Sequence, residues 1–330
     1  MALPTSFRAF RIRNDAAGYR SGIETLTIDD LAPGELVIRT AYSSVNYKDA
    51  LAGTGKGKIL RTFPLVGGID AAGHVVASRD PRFREGDAVL VTGCGLSETR
   101  DGGYSEYARL EADWAVPLPA GLTLRESMIL GTAGFTAALA LFRMIENRQT
   151  PSMGPLVVTG ATGGVGSLAI DIFTRAGFDV HAVSGKADQA GWLRALGARE
   201  VLPRDALATT RPLESARFGG GLDNVGGSML ASLLAQTVPY GNVATAGLAA
   251  THELATTVMP FIIRGVSLLG VASAGTARDI RLALWERLAG EWKPAHLETI
   301  CTHEVDLDGL PAVFARMLAG GSHGRTLVRL

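Results

Sequence analysis

The segment Val157-Val-Thr-Gly-Ala-Thr-Gly-Gly-Val-Gly166 constrains this chain more than any other. Gly160, Gly163 and Gly166 recur at a three-residue spacing, after the apolar run Leu156–Thr159 and before a helical pattern over 165–176. A strand, a tight glycine turn and a helix N-terminus make a cradle for a pyrophosphate. No Cβ keeps the anion from the backbone, and unpaired N–H groups point at it. A glycine pattern alone also suits a structural turn. The strand before it, the helix after it and a second strand over 179–183 favour a dinucleotide site.

The end of that second strand selects the dinucleotide. Sites that prefer NAD place Asp or Glu there to hold the ribose 2′-hydroxyl. Here the segment is His181-Ala-Val-Ser-Gly-Lys186, with no acid. Ser184 offers a hydroxyl, Gly185 lets the backbone come close, and Lys186 brings a positive charge. A carboxylate would repel a 2′-phosphate and a lysine attracts it, so the residues favour NADPH. Arg204, after the next strand, offers a second contact. The plainer alternative for both cations is a solvated surface.

From Leu156 onward strands and helices alternate, which implies parallel βαβ units. The pattern predicts strands over 179–183, 200–202, 221–225, 242–246 and 267–271. Helices are predicted over 187–196, 229–236 and 278–289. A helix over 124–145 comes in two pieces around Gly131. Before Leu124 the runs are short, apolar and turn-bounded (35–40, 73–77, 87–91), which suggests a β barrel-like unit. The tail returns to strand signals over 303–307 and 325–329, flanking a helix over 310–318. The fold class is therefore α/β. A discontinuous β-rich domain (1–125 and 295–330) encloses, in sequence, a Rossmann-type doubly wound domain (126–294). The ligand site is expected in the cleft between them.

Lys+Arg and Asp+Glu both number 32, so the formal net charge is zero. That argues against a nucleic-acid partner, which usually demands a basic excess. The longest apolar stretch, 128–142, is too short to span a bilayer, and residues 1–14 lack a signal-like apolar core. A cytoplasmic protein with no membrane partner is the expectation. The two cysteines, Cys94 and Cys301, are too few for a disulfide framework.

Several segments together resemble the zinc-independent, quinone-oxidoreductase branch of the medium-chain dehydrogenase/reductases. They are Ser44-Val-Asn-Tyr-Lys-Asp49, Gly68-Ile-Asp-Ala-Ala-Gly73, Gly131-Thr-Ala-Gly-Phe-Thr-Ala137, Val158–Gly166 and Gly324-Arg-Thr-Leu-Val328. Thr54-Gly-Lys-Gly-Lys58, Val201-Leu-Pro-Arg-Asp205 and Thr257-Val-Met-Pro-Phe-Ile262 are similar to the NADPH-dependent acryloyl-CoA reductases within it. The resemblance implies a GroES-like catalytic domain, a homodimer, and hydride transfer from NADPH to the β-carbon of an activated double bond. By position, Thr162, Gly163, Gly164 and Val165 would line the pyrophosphate, and Ser184, Gly185 and Lys186 the 2′-phosphate. Leu248 and Ser273 would flank the nicotinamide; Ile262 and Arg325 are further cofactor contacts.

Zinc-dependent relatives need thiolate and imidazole ligands. This chain has Asn46 where they place a cysteine, Gly68-Ile-Asp70 where they place a Gly-His-Glu segment, and no cysteine set for a structural metal. A reaction without metal is expected, with hydrogen bonds polarising the substrate carbonyl. Tyr47 is the candidate proton donor or cofactor-positioning group; the alternative is a packing aromatic. Asn46 is expected to donate to a carbonyl or orient the nicotinamide. Asp49 is expected to cap the following helix. The loop Gly55-Lys-Gly-Lys58 with Arg61 would meet the phosphates of a CoA thioester, or simply be solvated. The substrate is then a short enoyl thioester such as acryloyl-CoA. A broad-specificity quinone or unsaturated-carbonyl reductase and a non-catalytic NADPH-binding protein are the rivals.

Overall fold

In the computed structural model, which describes residues 3–330, chain contacts separate two units. One holds everything described up to Thr132, Ala274–Ala289 and Leu297–Leu330. The other holds Ala133–Ser273 and Gly290–His296.

The first unit is built on two sheets. Strands Gly18–Leu26, Phe7–Asp15 and Leu65–Val66 form a three-stranded sheet in that order. The larger sheet runs Cys301–Val305, Arg325–Arg329, Leu36–Val45, Asp70–Ser78, Ala88–Thr92, Val116–Pro117, and Tyr107–Leu110 also pairs with Leu36–Val45. Its pairs are antiparallel except Cys301–Val305 with Arg325–Arg329. Apolar faces of both sheets are buried, one cluster gathering Phe7, Phe10, Ile12, Val66, Tyr104 and Phe314. A second cluster centres on Leu36, Ile38, Val75, Val89 and Val91. The helix Arg278–Ala289, which falls in sequence within 126–294, makes its contacts in this unit. Arg281 donates to the Thr92 carbonyl and Arg278 to the Ala115 carbonyl, both at 2.8 Å.

The N-terminal hairpin was not anticipated, because its first strand carries Arg8, Arg11 and Arg13 among its apolar residues. The alternation is nonetheless a strand pattern, with Phe7, Ala9 and Ile12 buried.

The second unit contains one six-stranded sheet, every neighbouring pair parallel. Its order is Glu200–Leu202, Val180–Val183, Leu156–Thr159, Phe218–Asp223, Thr237–Thr245, Ser267–Gly270. Numbered within the unit, that order is 3-2-1-4-5-6, the doubly wound Rossmann arrangement. The strand direction reverses its walk between Leu156–Thr159 and Phe218–Asp223, so ligand binding belongs beyond the carboxyl end of Thr159. The strand Phe218–Asp223 begins three residues before its expected start, because Gly219 and Gly220 give no strand signal of their own. Glycines are required here by crowding: a Cβ on Gly220 would lie 2.0 Å from the Asn242 carbonyl oxygen, and one on Gly221 2.2 Å from that of Val157.

The helix Leu124–Glu146 is interrupted at Gly131 (φ 50°, ψ −156°), as the split pattern anticipated. It is long and apolar enough to cross a membrane, but 78% of its apolar window is buried in the protein, as in a core helix.

Candidate active site

The glycine loop leaves the sheet at Thr159 and enters the helix Gly164–Arg175, whose N-cap is Gly163. Gly160 takes a left-handed conformation, φ 59°. A Cβ on Gly166 would lie 2.5 Å from the Gly160 carbonyl oxygen, so this glycine lets the helix close on the loop. Across the switch point the neighbouring strand end is stitched to the same loop. Thr159 Oγ1 donates to Asp223 Oδ1 at 2.7 Å, and the Asn224 and Gly226 N–H groups donate to Thr159 Oγ1 and Asp223 Oδ2. Burial raises the Asp223 carboxyl above its ordinary value.

A cavity of about 540 Å³ opens beside this loop. Gly160, Thr162, Ser184, Gly185, Lys186 and Arg204 line one side, and residues 225–229 with 249–251 the other. The Ser184 hydroxyl accepts the Lys186 N–H at 3.0 Å, which folds the 184–186 turn back on itself. Arg204 opens the turn Arg204–Leu207 and reaches Gly185, where a Cβ would sit 2.7 Å from its Nε. Two cations and a hydroxyl therefore converge at the end of the second strand, with no carboxylate among the cavity-lining residues. The cradle fits a dinucleotide carrying an additional phosphate.

Gly163, Gly164 and Val165 form the helix start. Leu248 follows the fifth strand, 63% exposed, and lines a smaller cavity with Thr245 and Val271. Ser273 opens a short 3-10 turn. Ile262 is 74% exposed on the helix Met259–Arg264, beside the exposed Ile263, and faces solvent.

Arg325 corrects an expectation. Its side chain is 2% exposed and its guanidinium is spent inside the first unit. It donates to the carbonyls of Ile129 (2.9 Å) and Val45 (3.0 Å), to Asn46 Oδ1 (3.1 Å) and to Ser44 Oγ (2.7 Å). Four of its five N–H groups are thus committed within this unit. The register explains the placement, since Thr326 pairs with Val45 and sets Arg325 beside the end of the Leu36–Val45 strand.

Asn46 is corrected in the same way. Its amide nitrogen donates to Asp70 Oδ2 (2.8 Å) and Asp49 Oδ2 (3.2 Å), while its oxygen accepts from Arg325. Both N–H groups are committed, so Asn46 has none to donate to a substrate carbonyl. It caps the helix Tyr47–Thr54 in a reciprocal box with Asp49, whose Oδ2 accepts the Asn46 backbone N–H at 2.8 Å.

The centre of this network is Asp70, fully buried and not singled out by the sequence as a site residue. Its carboxylate accepts from Ser44 Oγ, Asn46 Nδ2, and the N–H and hydroxyl of Thr132. Arg325 Nη2 lies 3.9 Å away. The carboxylate oxygens are thus saturated by hydrogen bonds. Among the described residues there is no group of three or more His, Cys, Asp and Glu that could hold a metal. Burial first, and the Asp70 charge second, push the Asp49 carboxyl from its ordinary 3.8 up to about 7. Burial also pulls Arg325 down while the two carboxylates push it up.

Above this rigid floor stands Tyr47, the first residue of its helix, 50% exposed. It is neither a core aromatic nor tied into the network.

Comparison with known proteins agrees with this construction. A family model described as an alcohol dehydrogenase GroES-like domain matches residues 32–120, and one described as a zinc-binding dehydrogenase matches 164–289. A Bacillus subtilis protein named as a quinone oxidoreductase, YhfP, is 44% identical over 99% of this chain and all of its own length. This chain belongs to the medium-chain dehydrogenase/reductases. Within them it falls in the quinone-oxidoreductase branch together with the acrylyl-CoA reductases. The acrylyl-CoA reductase AcuI of Ruegeria pomeroyi is 43% identical over 94% of both chains. The crystal structure of the Salmonella enterica yhdH oxidoreductase in complex with NADP matches at a TM-score of 0.95, 43% identity, over 98% of this chain and 99% of that one. The structure of YhfP with NAD bound also matches at 0.95, over 99% and 100%. In this medium-chain reductase Asn46 is hydrogen-bonded to both Asp70 and Arg325.

Proposed function

We propose that the chain is an NADPH-dependent reductase of the activated carbon–carbon double bond in a short enoyl thioester, acryloyl-CoA being the prime substrate and propanoyl-CoA the product. The observation that carries the cofactor choice is the convergence of Lys186, Arg204 and Ser184 on one side of the nucleotide cavity. The relatives' names carry the reaction class.

NADPH, when bound, supplies a hydride to the substrate β-carbon. This chain's residues do the rest. The glycine loop and Thr162 hold the pyrophosphate, and Ser184, Lys186 and Arg204 neutralise the 2′-phosphate. Leu248 and Ser273 are proposed to flank the nicotinamide. Tyr47 is proposed to deliver a proton to the α-carbon from its phenol, held in place because the Asp70–Asn46–Arg325 network immobilises the first turn of its helix.

Quinone reduction is the second reading, favoured by the name of the B. subtilis relative. The proposed enzyme is a cytoplasmic homodimer. Supporting the dimer, Ser267–Gly270 is an unpaired sheet edge, and Ile262, Ile263 and Tyr240 leave exposed apolar surface on the same unit.

The test is oxidation of NADPH with acryloyl-CoA, crotonyl-CoA, free acrylate and a simple quinone in parallel, and NADH as the alternative donor. Turnover of the acryloyl thioester with strong preference for NADPH supports the reading. Turnover of quinones alone removes the thioester and keeps the cofactor site.

A further inference from the structure

The first unit carries three exposed cations close together on one loop. Several arginines of this unit are paired: Arg13 with Glu24, Arg20 with Asp15, Arg82 with Asp80, Arg125 with Glu298. Lys48 is paired with Glu98, which is only 17% exposed. On the loop after the Tyr47–Thr54 helix, Lys56, Lys58 and Arg61 are exposed, and none has an ion-pair partner among the described residues. Glu98, whose carbonyl accepts the Arg61 N–H at 2.8 Å, already has its carboxylate on Lys48. Three uncompensated positive charges within six residues are costly through mutual repulsion and suit an anion carrying several charges.

An aromatic pair stands beside them. Tyr19 and Phe63 meet edge to face, ring centroids 5.7 Å apart, each 36% exposed. Tyr19 is anchored by its hydroxyl on the Ala52 carbonyl at the end of the helix. Its ring lies against Gly55, the helix C-cap in the left-handed conformation (φ 70°), where a Cβ would meet ring carbon at 2.8 Å. Phe63 closes the loop two residues after Arg61. Rigid aromatic edges next to phosphate-binding cations make a recognition surface for a phosphorylated purine nucleotide, because the base stacks on the rings while the cations take the phosphates.

We infer that Lys56, Lys58, Arg61, Tyr19 and Phe63 form a docking site for the 3′-phospho-ADP end of a CoA thioester. The inference rests on the enoyl-thioester reading above and adds the residues that recognise the carrier. Its placement agrees with Tyr47 as the acyl-side group. The eight-residue helix separates Tyr47 from Gly55 by roughly 12 Å of rise, a distance the extended pantetheine arm can cover.

The experiment uses the NADPH-saturated enzyme and two readouts. Calorimetry measures CoA binding to the wild type, to the double variant Lys58→Glu/Arg61→Glu, and to Phe63→Leu. Steady-state kinetics compares acryloyl-CoA with acryloyl-pantetheine, which has the same acyl group and arm but no nucleotide. The site predicts that both variants weaken CoA binding, the charge reversal by at least tenfold. The double variant raises the KM for acryloyl-CoA at least tenfold relative to that for acryloyl-pantetheine, and added salt weakens CoA binding in the wild type. Unchanged CoA affinity in the charge-reversed protein, with its thermal midpoint intact, overturns the inference. Variant-sensitive CoA binding without turnover of either thioester supports the docking site and sinks the enoyl-reductase reading.

Discussion

Arg204 and Gly185 are packed together in the wall of the nucleotide cavity, a Cβ on Gly185 coming within 2.7 Å of Arg204 Nε and 2.8 Å of its Cζ. Glycine at this place lets a loop arginine from the next strand reach the turn that also presents Ser184 and Lys186. Arg204→Ala and Lys186→Ala should each weaken NADPH binding by about 10-fold or more, since each removes a charge-assisted contact of roughly 1.5–3 kcal/mol. NADH binding should change little. Gly185→Asp should invert the preference, because its carboxylate repels the 2′-phosphate. Fluorescence titration with both cofactors reads all three, and equal losses for NADH and NADPH would remove the 2′-phosphate role.

Tyr47 is the exposed group over a fully committed hydrogen-bond network. Tyr47→Phe keeps the ring and deletes the proton. It should lower kcat by about 100-fold at little cost in KM, the usual scale for losing a general acid. A rise in KM with kcat preserved would show that the ring positions the substrate and another donor supplies the proton.

Gly131 sits at the helix break because three polar atoms leave no room for a side chain. A Cβ there would come within 2.6 Å of Asp70 Oδ2, 2.7 Å of Ser44 Oγ and 2.8 Å of Arg325 Nη2, on a backbone with φ 50°. Gly131→Ala should cost about 2 kcal/mol or more through combined strain and disruption of a buried network. Gly191, in the helix Ala190–Ala195, has nothing within 4 Å of its added Cβ, and Gly191→Ala should raise stability by about 0.5–1 kcal/mol. Urea unfolding of the two variants checks the contrast.

The Asp49 carboxyl, raised to about 7 by burial and by Asp70, gives stability a pH slope. Between pH 4 and 7 the unfolded chain has released this proton and the native state still holds it. Fewer protons are bound in the unfolded state, so this group's contribution to stability falls as pH rises through that window and levels off above 7. Asp49→Asn removes the slope at this position while retaining one acceptor for the Asn46 and Ile69 N–H groups. Denaturation midpoints measured from pH 4 to 8 should decline more steeply in the wild type than in the variant. Parallel curves would place the titration elsewhere.

The local period of the residues was enough for much of the α/β half. The strands Leu156–Thr159 and Glu200–Leu202, the helices Gly164–Arg175 and Gly227–Ala235, and the glycine cradle were legible because each depends on neighbours in sequence. The amino acids at 184–186 also announced the cofactor's charge, since a missing acid and a present lysine are facts of composition at a known turn. What the chain alone left open depends on distant partners. Asn46 and Arg325 looked available for ligands until the pairing of Thr326 with Val45 enclosed them around Asp70. Asp70 itself gave no local sign of its role, because a buried carboxylate is defined by the donors that surround it, here from Ser44, Asn46 and Thr132. Gly219 and Gly220 fell outside the expected strand for the same reason, since only distant segments reveal that no side chain fits there. Sequence carries the periodicities and the chemistry of single side chains. Packing decides which polar groups spend their hydrogen bonds inside and which, like the hydroxyl of half-exposed Tyr47, do not.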